Sequence, residues 1–213
     1  MVLLSGGIDS ATCLYLARRR GYTNRALTVR FHRIAQGELV AARRIAAAAG
    51  VADHRFVSMP QLMELSDMKS RKGFGGLPPT YIPMKNAIYY GLAAAYAEET
   101  RSSRIVAGHN REDTMVFEDT GDEFFLHLEK ALLAGSQRLR RNRMKLWRPL
   151  GEMSKTEVVS LAERLGVPLE LTWSCHLEGT EHCWRCQGCV ARQKSFASAG
   201  IPDPLMPKKT KNV

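Results

Sequence analysis

Two groups of residues have types and spacing that can do chemistry. The first is Ser5-Gly6-Gly7-Ile8-Asp9-Ser10, where a glycine pair lets the backbone turn sharply and aim its N–H groups at an anion. Ser5 and Ser10 add hydroxyl donors for phosphate oxygens, and Asp9 can cap the following helix or help hold a magnesium ion. A Ser-Gly-Gly turn capped by Asp is also a plain connection in many parallel sheets, so the glycine pair alone says little. The second group is Cys175, Cys183, Cys186 and Cys189, spaced C-x7-C-x2-C-x2-C. Four thiolates suit tetrahedral zinc, and two-residue gaps let neighbouring cysteines close on one ion. An iron–sulfur cluster is the competing reading, since the last three cysteines are spaced like part of a ferredoxin run. His176 and His182 adjoin ligands, but adjacent side chains diverge, and both are read as non-ligands. Cys13 reads as a small buried apolar residue.

The elements that must position these groups follow from hydrophobic spacing. Met1 to Leu4 is a short apolar run ending at the glycine pair, and Asp9 to Arg19 has helical spacing through Cys13, Leu14 and Ala17. Arg25 to Phe31 and His54 to Ser58 read as strands, with a helix from Glu38 to Ala49 between them, stopped by Gly50. Residues 60 to 83 contain too many breakers for a continuous element, beyond a helical turn or two at Gln61 to Met68, and a loop of that length is often an active-site cover. Met84 to Glu99 and Phe124 to Leu133 read as helices, and Arg104 to Ala107 and Lys145 to Trp147 as strands. Ser154 and Glu157 form a capping box that opens a helix to Leu165, and Val190 to Ala199 is a last helix. The alternation predicts an α/β fold, a parallel doubly wound sheet of Rossmann-like type. The expected divisions are a nucleotide-binding domain over 1–168, a four-cysteine zinc lobe with its helix over 169–201, and a flexible tail over 202–213.

Composition narrows the function classes. With 45% hydrophobic and 24% charged residues in 213, the chain is neither disordered nor fibrous. A net charge of +10 and pI near 9.6 favour an anionic partner. No apolar run approaches the roughly 20 residues of a membrane helix, and the N-terminal residues lack the pattern of a secretory signal. Cytoplasm is the expected compartment, no membrane association is expected, and clustered cysteines there point to metal rather than disulfides. The basic run Arg138 to Arg143 reads as a solvated loop, with RNA or an acidic protein as the second reading. Of the aromatic residues, Phe74 in the long loop is the better stacking candidate, while Trp147, Trp173 and Trp184 read as packing.

The whole string Ser-Gly-Gly-x-Asp-Ser at the end of a first strand resembles the pyrophosphate (PP) loop of the ATP pyrophosphatases, whose adenine nucleotide alpha hydrolase-like fold it implies. It lacks the lysine of the P-loop motif, so the resemblance implies cleavage between the α and β phosphates. With the cysteine cluster, the chain resembles the 7-cyano-7-deazaguanine synthase (QueC) family. Supporting matches are Leu39 to Arg43, Tyr81-Ile82-Pro83-Met84-Lys85-Asn86, Leu92 to Glu98, Gly108-x-Asn110-x-x-Asp113, Lys155-x-Glu157 and Leu171 to Cys175. The resemblance implies catalytic roles for Asp9, Ser10, Asp113 and Lys155, and ATP binding by Leu4, Ser5, Gly6, Gly7, Ile8, Asp9, Ser10, Ala11 and Thr12. It implies substrate binding by Asn86, Lys85, Asn110, Asp113 and Phe74, structural Zn2+ on the four cysteines, and Mg2+ with ATP. The implied partners are ATP and a 7-deazaguanine-type carboxylate, in a homodimer. The implied reaction turns the carboxylate into a nitrile with ammonia and two ATP. Three segments depart from the family pattern: Phe31-His32-Arg33, Pro83-Met84-Lys85-Asn86 in place of Pro-Gly-Arg-Asn, and Thr114 to Thr120. The last two fall where the substrate pocket is expected, and the departures leave a second reading in which the adenylated acid passes to a protein or RNA amine, for example in a defence system. A tRNA thiolase is a third reading, which zinc on four thiolates disfavours.

Overall fold

The computed structural model describes residues 1–30, 36–64, 81–177 and 179–207. Five strands, β1 (Val2–Leu3), β2 (Arg25–Arg30), β3 (Asp53–Ser58), β4 (Arg104–Val106) and β5 (Lys145–Trp147), form one sheet in the order β3-β2-β1-β4-β5. All pairs are parallel. The order reverses between β1 and β4, and this switch point is where parallel α/β sheets bind ligands.

Successive side chains of a strand point to opposite faces, and the central strands feed two cores. Val2, Leu4, Ala26 and Val106 enter one core with helices α1 (Ile8–Arg19), α2 (Gln36–Ala48) and α7 (Lys155–Leu165). Leu3, Leu27, Ile105 and Ala107 enter the other, with α3 (Lys85–Thr100), α5 (Asp122–Gly135) and α6 (Gln137–Arg141). Apolar runs that are hydrophobic at every position are the expected signature of strands buried on both faces. The doubly wound arrangement is therefore as expected.

Helix boundaries mostly follow local signals. The capping box of Ser154 and Glu157 opens α7, and Gly166 at φ +68° closes it. Two segments differ from expectation. Arg138 to Arg141 lies in helix α6 rather than a loop, because Ser136 caps it and Leu139 packs into the core. Its Arg140 guanidinium caps α5 by donating to the carbonyls of Leu133 and Ala134. The short helix α4 (Arg111–Val116) was not expected; the reciprocal bonds of Asn110 and Asp113 nucleate it. Phe74 and most of the long loop lie outside the described residues, beyond a 3-10 turn at Pro60–Met63.

Met84, at the start of α3, has φ 55°, in the left-handed region that costs a side-chain-bearing residue about 1–2 kcal/mol. The glycine of the family pattern falls at this position, and the structure supplies its reason. Met84 is exposed, so Met84→Gly loses little packing. It should raise stability by about 0.5–1 kcal/mol, measured by urea denaturation; a lower midpoint would contradict the strain argument.

The C-terminal helix α8 (Gln187–Ala199) packs against α7 and carries a buried Arg192. The guanidinium binds both carboxylate oxygens of Asp203 at 2.7 and 2.9 Å and donates to Thr172 Oγ1 and the Leu169 carbonyl. The tail expected to be free from residue 202 therefore begins anchored.

Candidate active site

The loop after β1 is built by its own hydroxyls. Ser10 Oγ accepts from Ser5 N–H at 3.2 Å and donates to the Gly7 carbonyl at 3.1 Å, and the Ser5 hydroxyl accepts from Gly7 N–H at 3.3 Å. Gly6 has φ +90°, and a Cβ there would come within 2.5 Å of the Glu38 carbonyl, so only glycine fits the turn against α2. The start of α1 carries no side-chain cap, which leaves its N–H groups and positive dipole end for an anion. Leu4, Ile8, Ala11 and Thr12 are buried beneath the loop; their side chains position it from the core side.

Asp9 points inward rather than to open solvent. Its Oδ2 lies 3.7 Å from Lys155 Nζ at the first turn of α7, and its Oδ1 is buried without a hydrogen-bond partner. Burial pushes the Asp9 carboxyl up, and the Lys155 ammonium opposes that. Asp9 in turn holds the Lys155 ammonium above its ordinary value, so it stays charged. Glu112 accepts the Lys155 backbone N–H, which ties α4 to α7.

Lys155 and Glu112 open onto a cleft of about 670 Å³. Ser5, Asp113 and Lys155 line it together with Lys85, Asn86, Tyr81 and Phe117. The rings of Tyr81 and Phe117 are parallel within 5°, with centroids 6.1 Å apart. The Asn86 amide donates to the Asp119 carbonyl while its backbone N–H donates to the Asp119 carboxylate, so Asn86 clamps the cleft wall. Asn110 is buried, accepts from Asp113 N–H and leaves Nδ2 without a partner. Burial lowers the Lys85 ammonium pKa, while Asp119, Glu38 and Asp113 raise it.

Glu38 and Tyr89 were not singled out from the sequence, yet both line the cleft. Burial raises the Glu38 carboxyl and the Tyr89 hydroxyl, and that hydroxyl is buried without a partner. Glu38 at a helix start reads locally as an ordinary first-turn acid, so no sequence signal separated it. Among cleft-lining carboxylates, those of Glu112, Asp113 and Asp119 accept backbone N–H groups, whereas Glu38 has no hydrogen bond among the described residues.

His109, just past β4, is hydrogen-bonded to the Tyr90 hydroxyl at 3.1 Å. Burial, with help from Lys85, lowers its pKa to about 4. Below its ordinary value of 6.5 the unfolded chain takes up the proton and the folded site resists it. His109's contribution is therefore complete above about pH 6.5 and is lost as pH falls toward 4. NMR titration should show a neutral His109 imidazole at pH 5.5; a midpoint near 6.5 would contradict the buried site.

The four cysteines come together as spacing suggested. Their Sγ atoms lie within 4.8 Å of one another, with Cys183 to Cys189 and Cys175 to Cys186 both at 3.9 Å. Four thiolates about 2.3 Å from a central ion define tetrahedral edges of about 3.8 Å, so the donor set fits a four-coordinate metal. The N–H groups of His176 and Cys186 donate to Cys186 Sγ and Cys183 Sγ respectively, and such bonds favour thiolate. His182 Nε2 accepts from Ser174 N–H, so that nitrogen is already engaged, in keeping with a non-ligand. The cluster is not remote: Cys175, His176, Gln187 and Gly188 also line the cleft. Trp147 and Trp173 pack against the core and Trp184 stacks on His182, as expected for packing residues.

A parallel sheet with a lysine-free Ser-Gly-Gly-x-Asp-Ser loop at its switch point, and a four-cysteine cluster beside the same cleft, is the arrangement of an enzyme of the PP-loop ATP-using class. Residues 1–200 match the family described as "Queuosine biosynthesis protein QueC", and the chain belongs to that family. It is 34% identical to the 7-cyano-7-deazaguanine synthase of Trichodesmium erythraeum, over 97% of this chain and 99% of the relative. Against the synthase of that name from Anaeromyxobacter sp. the identity is 36%, over 97% and 94%. Among solved structures it is similar to NMN synthetase from Francisella tularensis, with TM-score 0.53, 19% identity, and coverage of 93% of this chain and 76% of that one. It is also similar to the U34-tRNA thiolase NcsA from Methanococcus maripaludis, with TM-score 0.50, 18% identity, and coverage of 92% and 63%. At these identities the structural likenesses concern the fold. Among the described residues, no helix is long and apolar enough to cross a membrane.

Proposed function

We propose that this chain is an ATP-dependent ligase that converts 7-carboxy-7-deazaguanine and ammonia to 7-cyano-7-deazaguanine, releasing AMP and pyrophosphate. The observation that carries this reading is the uncapped start of α1 beside the Asp9–Lys155 pair, next to a cleft that Ser5 and Lys155 line, in a chain that matches named synthases over 97% of its length. A carboxylate is a poor electrophile because oxide is a poor leaving group. Its oxygen attacks the α phosphorus of ATP, pyrophosphate leaves, and the acyl adenylate forms. Ammonia displaces AMP to give the amide. The amide oxygen takes a second adenylyl group, and loss of AMP and a proton leaves the nitrile.

The chain's residues hold charge in this scheme. The N–H groups at the start of α1 and the Ser5 hydroxyl receive the departing pyrophosphate, and the Lys155 ammonium balances charge growing at the phosphates. Asp9 and Asp113 are the carboxylates that would hold Mg2+, which supplies further neutralisation of the phosphates. Lys85, Asn86, Asn110 and Asp113 form the substrate side, and Tyr81 with Phe117 offers an aromatic surface to a planar bicyclic ring. We assign zinc to the cysteine centre, since adenylation moves no electrons, and its four protein ligands leave no open position, so the role is structural.

The test is incubation with ATP, magnesium, ammonia and 7-carboxy-7-deazaguanine, followed by mass spectrometry. The amide should appear before the nitrile, with two AMP released per nitrile. No ATP-dependent AMP release with this acid would refute the reading. AMP release without nitrile, but with a mass shift on an added protein or RNA, would favour the redirected transfer instead.

A further inference from the structure

The cysteine centre and the phosphate loop meet at one residue, Trp173. Its backbone N–H donates to the Gly6 carbonyl at 2.9 Å, and its indole Nε1–H donates to the Cys175 carbonyl at 2.8 Å. The indole ring also lies flat against Gly37 at the start of α2, where a Cβ would come within 2.3 Å of Cε2. One side chain and its own peptide therefore touch the turn that faces the phosphates, the helix behind that turn, and a residue of the metal site.

The neighbouring residues leave this segment little freedom. Arg192, locked to Asp203, donates to Thr172 Oγ1 at 2.7 Å and reaches Ser174 Oγ at 3.5 Å. Ser174 N–H donates to His182, whose ring lies 4.5 Å from that of Trp173. On the other side, the Gly6 turn is already in tight contact with α2, so a shift of residues 172–175 has to move the Gly6 carbonyl or break its bond. Among the described residues, the Trp173 N–H is the one hydrogen-bond donor from residues 169–201 to the loop 5–7.

We propose that Trp173 is a positioning residue that couples occupancy of the cysteine centre to the conformation of the phosphate loop. The proposal rests on the readings above that the loop binds ATP and that the cysteines bind zinc. With metal bound, Cys175 and the 172–175 segment are fixed, and Trp173 holds the Gly6 turn in the shape that presents the N–H groups of α1. Without metal, Cys175 loses its anchor and the turn loses its brace. Coupling between two sites is reciprocal: if metal tightens nucleotide binding, nucleotide tightens metal by the same factor.

The experiment reads that reciprocity without turnover. The zinc affinity of the purified full chain is measured by competition with a chromophoric chelator, with and without saturating α,β-methylene ATP and magnesium. Analogue binding is checked separately by calorimetry. Saturating analogue should tighten zinc by about fivefold or more, within the usual range of allosteric coupling. Trp173→Phe keeps a ring against Gly37 and the backbone bond to Gly6 but lacks the indole N–H, and its ratio should fall to within about twofold of unity. Should that variant lose its metal or its fold, Gly37→Ala displaces the ring while keeping the N–H, and must lower the ratio likewise. Analogue that binds the wild-type chain without changing its zinc affinity overturns the proposal alone, as does an undiminished ratio in Trp173→Phe or, in its place, in Gly37→Ala. A wild-type chain that binds no analogue, or holds no zinc, overturns the underlying reading and the proposal with it.

Discussion

Asp9→Asn and Ser10→Ala should each lower the rate of AMP and pyrophosphate formation by about 10²–10³-fold, the scale for removing one preorganised group from charge developing in a transition state. The two substitutions act differently. Ser10 Oγ joins Ser5 N–H to the Gly7 carbonyl, so Ser10→Ala slackens the loop before any nucleotide arrives. Asp9 stands beside Lys155, and asparagine removes its charge while keeping its volume. Asparagine is preferable to alanine here because alanine would leave a cavity as well as an unpaired ammonium. Pyrophosphate release under saturating ATP is the measurement, with circular dichroism confirming the fold. Activity within threefold of wild type would contradict the placement of the phosphates on this loop, and ADP as product would contradict cleavage between the α and β phosphates.

Replacing Cys186 and Cys189 together by serine should remove the metal and loosen the segment that carries the cysteines. Binding of structural zinc supplies about 10–16 kcal/mol in small zinc modules and is then folding energy. The flanking residues keep their own support, since Leu169 and Phe196 are buried in the core and Arg192 is locked to Asp203, so the loss is confined to the segment that carries the cysteines. Metal analysis should fall from about one zinc per chain to near zero, and nitrile formation should fall with it because Cys175, His176 and Gln187 line the cleft. Retention of zinc by the double variant would contradict the four-cysteine assignment. Iron with visible absorbance in the wild-type protein would replace zinc by a cluster.

Much of the molecule was legible in the chain because its signals are local. The apolar runs of β1 and β4, the glycine pair after β1, the Ser154–Glu157 box and the paired two-residue gaps between cysteines each depend on residues a few positions apart. Their physics holds wherever the segment lies. Helix α6 was misread because its arginines outweigh a single buried anchor, Leu139, whose partner core is far away in sequence. Helix α4 was missed because its apolar residues Met115 and Val116 are exposed and its stability comes from a cap rather than from periodicity.

The sequence by itself determined the parts: a Ser-Gly-Gly-x-Asp-Ser turn at the end of a first strand, a four-cysteine cluster, and a parallel sheet to carry them. The tertiary structure decided which distant groups share one cleft. Asp9 meets Lys155 across 146 positions of chain, Glu38 faces Lys85, and Trp173 reaches back to Gly6. No local pattern marks such pairs, since an acid in a first turn or a tryptophan before a cysteine has the same propensities wherever the chain later folds. The physical reason is that these contacts form only when the crossovers bring the segments after β1, β2, β3 and β5 to the same end of the sheet, where burial then makes each charge need its partner.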